Sequence, residues 1–541
     1  MAIESGNLVD VLDGRIYPAS LMIEGGKIVN IAAAAAEPDR FIIPPLIDAH
    51  VHIESSMLVP SEFARLAAVH GTVATVSDPH EIANVLGIDG VLYMIENSSR
   101  VPFKFYFGAP SCVPATPFET AGAALDVEGV ERLLGMKDVK VLSEVMNVPG
   151  VISGDPVVEA KIALAKKYGK PIDGHAPGLR GEPLRTYIQA GITTDHETLD
   201  HEEALEKLAL GMKLLIREGS AAKDFDAFVD LIDTYPADCM FCCDDQHPDD
   251  LALGHINRLV RRALRLGHDP LKVFRAASLN PVKHYGLDVG LLQAGDDADF
   301  VVVDDLENLT VLKTYVQGQV VAENGEPRMP TIPAATVNRF EAAEKTPADF
   351  KVKPRGRRIK VIVAYDGLLT TEKTRVVPKI ANGNVISDTH RDILKIVVVN
   401  RYQEAAPAIA FVHNVGLKQG ALASSVAHDS HNIVAVGVSD EDIARAVNAV
   451  IRARGGLSAA HGDAVEILPL PVAGLMANSD GYEVAESYAR LNRVAADLGS
   501  SLTAPYMTLS FMALLVIPKL KLSDKGLFDA EAFAFTNLFE A

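Results

Sequence analysis

The pair His50-x-His52, closing the apolar run Phe41-Ile-Ile-Pro-Pro-Leu-Ile-Asp-Ala-His-Val-His, constrains this chain more than any other feature. Residues i and i+2 of a strand project to the same side, so two imidazoles spaced this way can grip one metal ion. Such a pair alone is weak evidence, being more often structural or incidental. What raises the metal reading is its company: Glu144, His175, His196 and Asp244 each fall at the end of a separate short apolar segment. All are ligand types that a divalent metal accepts, delivered one strand at a time.

Between residues 44 and 276, apolar strand-length segments alternate with helix-length amphipathic stretches, the pattern of parallel βαβ units. Eight strand candidates occur, at residues 46–50, 72–77, 103–108, 139–145, 171–175, 191–196, 212–217 and 239–244, with helices expected at 60–70 and 155–168. Eight such units predict a closed (β/α)8 barrel, in which functional residues sit at the C-terminal ends of strands. Every candidate ligand falls there. A doubly wound open sheet competes, but it does not naturally bring residues from the first and eighth strands together.

The flanks differ in character. Residues 7–43 hold short β segments broken by Asp13-Gly14 and Gly25-Gly26, and residues 299–325 read the same way. One small β domain is therefore expected from residues 1–43 and 285–330, on both sides of a barrel spanning 44–284. A linker rich in proline and charge over 331–358 leads to a separate α/β domain over 359–541, where Ser439-Asp-Glu-Asp opens a helix as a capping box. The expected class is α/β: a TIM-like barrel of the metal-dependent hydrolase type, a small composite β domain and a C-terminal α/β domain.

Composition removes several functions. A formal net charge of -20 argues against a nucleic-acid backbone or an anionic membrane as partner. No run of about 18 uninterrupted apolar residues occurs, and the opening Met-Ala-Ile-Glu-Ser-Gly-Asn lacks the regions of a signal peptide, so an unexported, cytoplasmic protein is expected. Residues 509–518 are about half the length needed to span and read as buried core. Four cysteines, three of them at 239, 242 and 243, suit a reducing cytoplasm better than a disulfide framework. Cys239-x-x-Cys242 with His52-x-Glu54 is a poor match to the cytidine-deaminase type of zinc site, because Asp238 stands where a proline is expected and a strand sends the two thiols to opposite faces. His70, His255, His268 and His284 have no evident partners of ligand type and read as structural or exposed.

Ile47-Asp-Ala-His-Val-His-Ile-Glu-Ser-Ser, Ser77-Asp-Pro-His-Glu-Ile-Ala-Asn-Val-Leu-Gly, Ser111-Cys-Val-Pro-Ala-Thr, Ser143-Glu-Val-Met-Asn-Val-Pro-Gly-Val, Asp173-Gly-His-Ala-Pro-Gly, Thr194-Asp-His-Glu, Cys243-Asp-Asp-Gln-His-Pro-Asp-Asp-Leu and Ala423-Ser-Ser-Val-Ala-His-Asp-Ser-His-Asn together resemble the bacterial adenine deaminases of the amidohydrolase superfamily. The His-x-His and later histidines are generic to the superfamily. The Asp-Pro-His-Glu block, the strand-four glutamate and the His-Asp-Ser-His-Asn block are more particular.

The resemblance implies a binuclear divalent metal centre, with manganese or iron favoured and zinc compatible. His50 and His52 would hold one ion and His175 and His196 the other, with Glu144 as the bridge where many superfamily relatives have a carbamylated lysine. Asp244 would ligate the first ion and accept the proton of the attacking hydroxide. Alternatively, Glu144 is a buried ion-pair partner. For adenine, Glu197 is the candidate general acid at a ring nitrogen and Asp245 the candidate partner of N7, each with a solvated loop carboxylate as its plainer reading. His80 and Glu81 either contact substrate or cap the helix that follows. Ser220 is a further candidate substrate contact. His428-Asp-Ser-His431-Asn432 is either a polar turn or a loop closing the barrel mouth, through His428 or His431, with the second reading preferred. The expected activity is hydrolysis of adenine to hypoxanthine and ammonia in purine salvage, by a homo-oligomer with a dimer favoured. Another aminopurine or a cyclic amide is the alternative substrate.

Overall fold

The computed structural model describes residues 2–34 and 39–540; part of the expected β domain, residues 35–38, lies outside the described residues. Four strands open the chain: β1 (Ala2–Asp10), β2 (Arg15–Glu24), β3 (Lys27–Ala33) and β4 (Phe41–Ile43). Their β1–β2 and β2–β3 turns fall at Asp13-Gly14 and Gly25-Gly26, where Gly14, Gly25 and Gly26 adopt positive φ that glycine reaches without steric cost.

Eight parallel strands follow: β5 (Leu46–Val51), β6 (Thr72–Ser77), β7 (Lys104–Ala109), β8 (Val139–Val145), β9 (Ile172–Gly174), β10 (Thr194–Asp195), β11 (Lys213–Arg217) and β12 (Cys239–Cys242). They form arcs β5–β9 and β10–β12. The N–H of Thr193 donates to Ile172 O at 2.9 Å and joins the arcs on one side. On the other, Asp244 N donates to His50 O at 2.9 Å and His52 N to Asp244 O at 3.1 Å. The barrel is closed at the point where the His-x-His pair sits. Among the intervening helices, Pro60–Val69 and Pro156–Lys167 occupy the expected stretches, and Asp155 caps the second by accepting from Val157 N and Val158 N.

After the barrel come β13 (Phe300–Val303), β14 (Val311–Val316), β15 (Gln319–Glu323) and β16 (Glu326–Pro327). Strand β4 pairs parallel with β1 and antiparallel with β13, which sews both flanks of the barrel into one eight-stranded sheet.

The stretch 331–358, expected as a linker, is packed against the C-terminal part. Phe340 and Phe350 are buried and pack in one cluster with Ile443, Val447 and Val450 of helix Asp440–Ala453. Glu341 N donates to Arg401 O at 2.7 Å, and Lys345 N to Asn448 Oδ1 at 2.8 Å. Two aromatic anchors inside a polar stretch make it a strap, because burying a ring outweighs the ordering of a few exposed neighbours.

The C-terminal part is a nine-stranded sheet carrying helices Asp440–Ala453, Gly481–Asp497 and Pro505–Phe511. Ser439 caps the first by accepting from Asp442 N at 3.1 Å. One continuous apolar cluster runs from Ile47, Phe63 and Phe107 in the barrel to Val412, Leu422 and Tyr488 beyond it. Arg65 Nη1, held by Glu62 of its own helix at 2.5 Å, reaches Asp480 at 2.7 Å across the same junction. No helix among the described residues is long and apolar enough to cross a membrane. Phe350→Ala should lower unfolding free energy by about 3–5 kcal/mol, measured by denaturant titration. A change below about 1 kcal/mol would mean that the strap is not held by this ring.

Candidate active site

The C-terminal ends of the barrel strands converge on a buried cluster of imidazoles and carboxylates. His50 and His52 face each other through their Nε2 atoms at 3.3 Å. Asp244, the residue that bonds across the barrel seam, places Oδ1 3.6 Å from His50 Nε2 and 3.2 Å from His52 Nε2. Its backbone lies in the left-handed region at φ 59°, which redirects the chain as β12 ends.

Glu144 rises from the end of β8 into the middle. Its Oε1 lies 3.4 Å from His52 Nε2 and 3.4 Å from His80 Nδ1, while Oε2 lies 2.8 Å from His175 Nδ1 and 3.4 Å from His196 Nε2. Burial alone would raise its pKa, but His175, His52 and His196 outweigh that and hold it well below the usual carboxylate range. Asp195 fixes the loops beside it: its Oδ1 accepts from Glu197 N at 2.9 Å and Ala176 N at 3.3 Å, and its other oxygen meets buried Lys207.

The donor set fits a divalent metal centre. Two Nε2 atoms pointed at each other beside a carboxylate can share a cation but not a single proton each without repulsion. Several buried carboxylates also need positive charge. Among the described residues, Arg217 is the sole Lys or Arg within ion-pair distance of Glu144, Asp244, Asp245, Glu81 or Asp78. Groups of ligand atoms close enough to hold an ion include His50, His196 and Asp244; Glu144, His175 and His196; and His52, Asp78, His80 and Glu144.

The matches to known proteins agree with this chemistry. An amidohydrolase family model covers residues 41–321, and an adenine deaminase C-terminal domain model covers 368–534. Adenine deaminase from Salinibacter ruber is 57% identical over 537 residues, 99% of this chain and 98% of that protein. Those from Sulfurovum sp. and Methanosarcina barkeri are 56% and 52% identical, over 98% and 99% of this chain and 98% of each of those proteins. The chain belongs to the adenine deaminase family.

In this member of the family the C-terminal domain reaches into the site. Glu81 is clamped from across the domain boundary, one oxygen meeting His428 Nδ1 and the other His431 Nε2. Burial would raise its pKa, yet the two imidazoles and His80 hold it well below the ordinary value. His428 stacks on Phe511 with ring centroids 4.5 Å apart. The central cavity is walled by His52, His80, Glu144 and Asp245 from the barrel and by His428 and Phe511 from the C-terminal domain. Asp245 accepts from the Ser55 hydroxyl, and burial together with Asp244 raises its pKa.

Not every expected contact lies on this cavity. His431 is fully buried behind Glu81 and supports it. Ser220 faces elsewhere: its hydroxyl donates to Asp250 at 2.6 Å and accepts from His247 N at 2.9 Å, while its N–H donates to Asp245 O at 2.8 Å. It shapes the loop that carries Asp245. His255 and His268 do have carboxylate partners, contrary to expectation. His255 Nε2 lies 2.9 Å from Asp48, and His268 Nδ1 2.8 Å from Asp233, as buried imidazoles require polar company.

Arg217 is the residue that sequence reasoning missed. It ends β11, buried, and its Nη1 reaches Glu197 and, at 2.7 Å, Asp244 Oδ2, while Nη2 lies 3.0 Å from Glu197 Oε2. Its position at the end of the seventh barrel strand was the available signal. Glu144→Gln should lower bound metal and thermal stability together, since loss of a bound ion removes its linkage stabilisation. Metal analysis beside thermal unfolding checks this, and full metal content in that variant would remove Glu144 from the ligand set.

Proposed function

We propose that this chain hydrolyses adenine to hypoxanthine and ammonia in purine salvage, at a binuclear centre held by His50, His52, His175, His196, Asp244 and bridging Glu144. The observation that carries the reading is Glu144 with one oxygen toward His52 and the other toward His175 and His196. A carboxylate so placed can serve two ions at once, and His80 offers a further nitrogen on the first side. Divalent ions there would supply a nucleophilic water near neutral pH. A donor set of imidazole and carboxylate suits manganese or iron, the proposed native metals, as well as zinc.

The chain's own groups handle the protons. Asp244 is placed to accept the proton released as water adds to C6, and Arg217 holds its second oxygen so that the first faces His50 and His52. Burial raises the pKa of Asp244, but His50, His52 and Arg217 keep it well below the usual range, so it rests as a base. Glu197, paired with Arg217, is the general acid: it relays the other proton of the attacking water to the ring nitrogen. Asp245 stands on the cavity wall, its pKa raised by burial and by Asp244, and is the partner for N7. Addition forms the C–O bond at C6 first; Asp244 then returns its proton to the exocyclic amine, the C–N bond breaks, and ammonia leaves while C6 becomes the carbonyl of hypoxanthine. Glu81, gripped by His428 and His431, holds the C-terminal domain over this chemistry and keeps bulk water out.

Buried free thiols at Cys239, Cys242 and Cys243 support a reducing cytoplasm, and a homo-oligomer, a dimer for preference, is the proposed assembly. Ammonia release from adenine by protein supplied with manganese or iron tests the activity directly, and none above the buffer rate would overturn it. Glu197→Gln should retain its metals and lose about 10² in turnover. Metal loss in that variant would instead make Glu197 part of the ligand shell.

A further inference from the structure

The cavity lined by the imidazole and carboxylate cluster has free space of only about 30 Å³, room for little beyond a water. A second chamber of about 670 Å³ adjoins it, in the range of small-molecule pockets. The two share Met146, His175, Glu197, Leu369 and Ile517. Exposure within the site is graded toward that side. The His175 and Glu197 side chains are 14% and 11% exposed, against 6% or less for His50, His52, His80, Glu144, His196 and Asp244. Glu81, His428 and Phe511, which line the small cavity but not the second chamber, are all buried.

From this geometry we infer that the second chamber is the substrate passage, and that Met146 of the barrel with Leu369 and Ile517 of the C-terminal domain forms its neck. The inference rests on the proposed deamination and adds to it the route by which a flat, uncharged heteroaromatic base arrives. The chamber is lined mainly by apolar side chains from both domains, including Val148, Leu179, Leu199, Leu368 and Val516. Leu199 and Leu368 stand 63% and 53% exposed at its rim, an apolar threshold that a neutral ring crosses without giving up ionic hydration.

The two C-terminal segments that form the neck are tied into one unit. Thr371 N donates to Pro518 O at 2.8 Å, and Lys519 N to Thr371 O at 3.0 Å. Buried Lys521 donates to Leu369 O and to Phe511 O, both at 2.8 Å, so one side-chain nitrogen ties the neck to the buried wall. Opening the neck therefore means moving the C-terminal segments against the barrel, which gives the second domain a direct hold on substrate entry.

The test uses the full-length metal-loaded protein carrying Leu369→Cys, labelled with benzyl maleimide and compared with the same variant unlabelled. Native Cys239, Cys242 and Cys243 are buried and Cys112 is partly so, and the unsubstituted protein treated with reagent controls for them. Labelling should lower kcat/KM for adenine by about tenfold or more, leave metal content unchanged, and slow stripping of the metals by a small chelator. Leu369→Trp gives the same reading without the reagent. A stoichiometric label that leaves kcat/KM within about twofold overturns the passage. If the unlabelled protein releases no ammonia from adenine, the proposed function fails on its own, and the chelator rates alone decide the passage: slower stripping supports it and an unchanged rate overturns it.

Discussion

Glu144 is a carboxylate with almost no water around it, facing imidazoles on both of its oxygens. A lone buried charge of this kind would be costly, and removing one partner of a buried charged network costs several kcal/mol. The rest of the site answers that demand. His52 comes from just past the first barrel strand, His80 from the start of the helix that follows the second, and His175 and His196 from just past the fifth and sixth. No open sheet presents those positions around one point. Closure of β12 onto β5 through Asp244 and the His50–His52 backbone is thus both a fold feature and a condition for the chemistry.

A second layer of polar contacts holds this first one. Arg217 neutralises Glu197 and Asp244 together, Lys207 holds Asp195, and Asp48 receives the N–H groups of His50 and Cys243 while facing His255. Each such partner is nearly inaccessible to solvent, where low dielectric strengthens charge-assisted bonds and makes an unpaired group expensive. Side chains so supported keep a fixed orientation, as metal and proton-transfer geometry require.

The C-terminal domain completes the site. It contributes Phe511, Leu514 and Ile517 as apolar walls and His428 and His431 as the clamp on Glu81. The expectation that residues 509–518 are core is met in an unexpected place, since this core is the junction between the domain and the barrel mouth. Separating the domains would expose one continuous apolar cluster and leave Glu81 without its partners. Barrel and lid are therefore one cooperative unit.

Much of this was legible in the chain. Short apolar runs alternating with helix-length amphipathic stretches located all eight barrel strands, and a strand's C-terminal end marks the catalytic side of such a barrel, which is why His50, His52, Glu144, His175, His196 and Asp244 could be singled out. A local signal also placed the Ser439 cap. The sequence by itself determined which residue types stand at which strand ends, because strand alternation and capping depend only on near neighbours. Long-range pairing was not legible. That Arg217 holds Glu197, that Ser220 faces Asp250, that Phe340 and Phe350 turn a polar stretch into a strap, and that Glu81 meets His428 and His431 more than 300 residues away were decided by tertiary structure. Such contacts leave no periodic trace in a chain, since burial chooses among many possible partners only once the elements have packed.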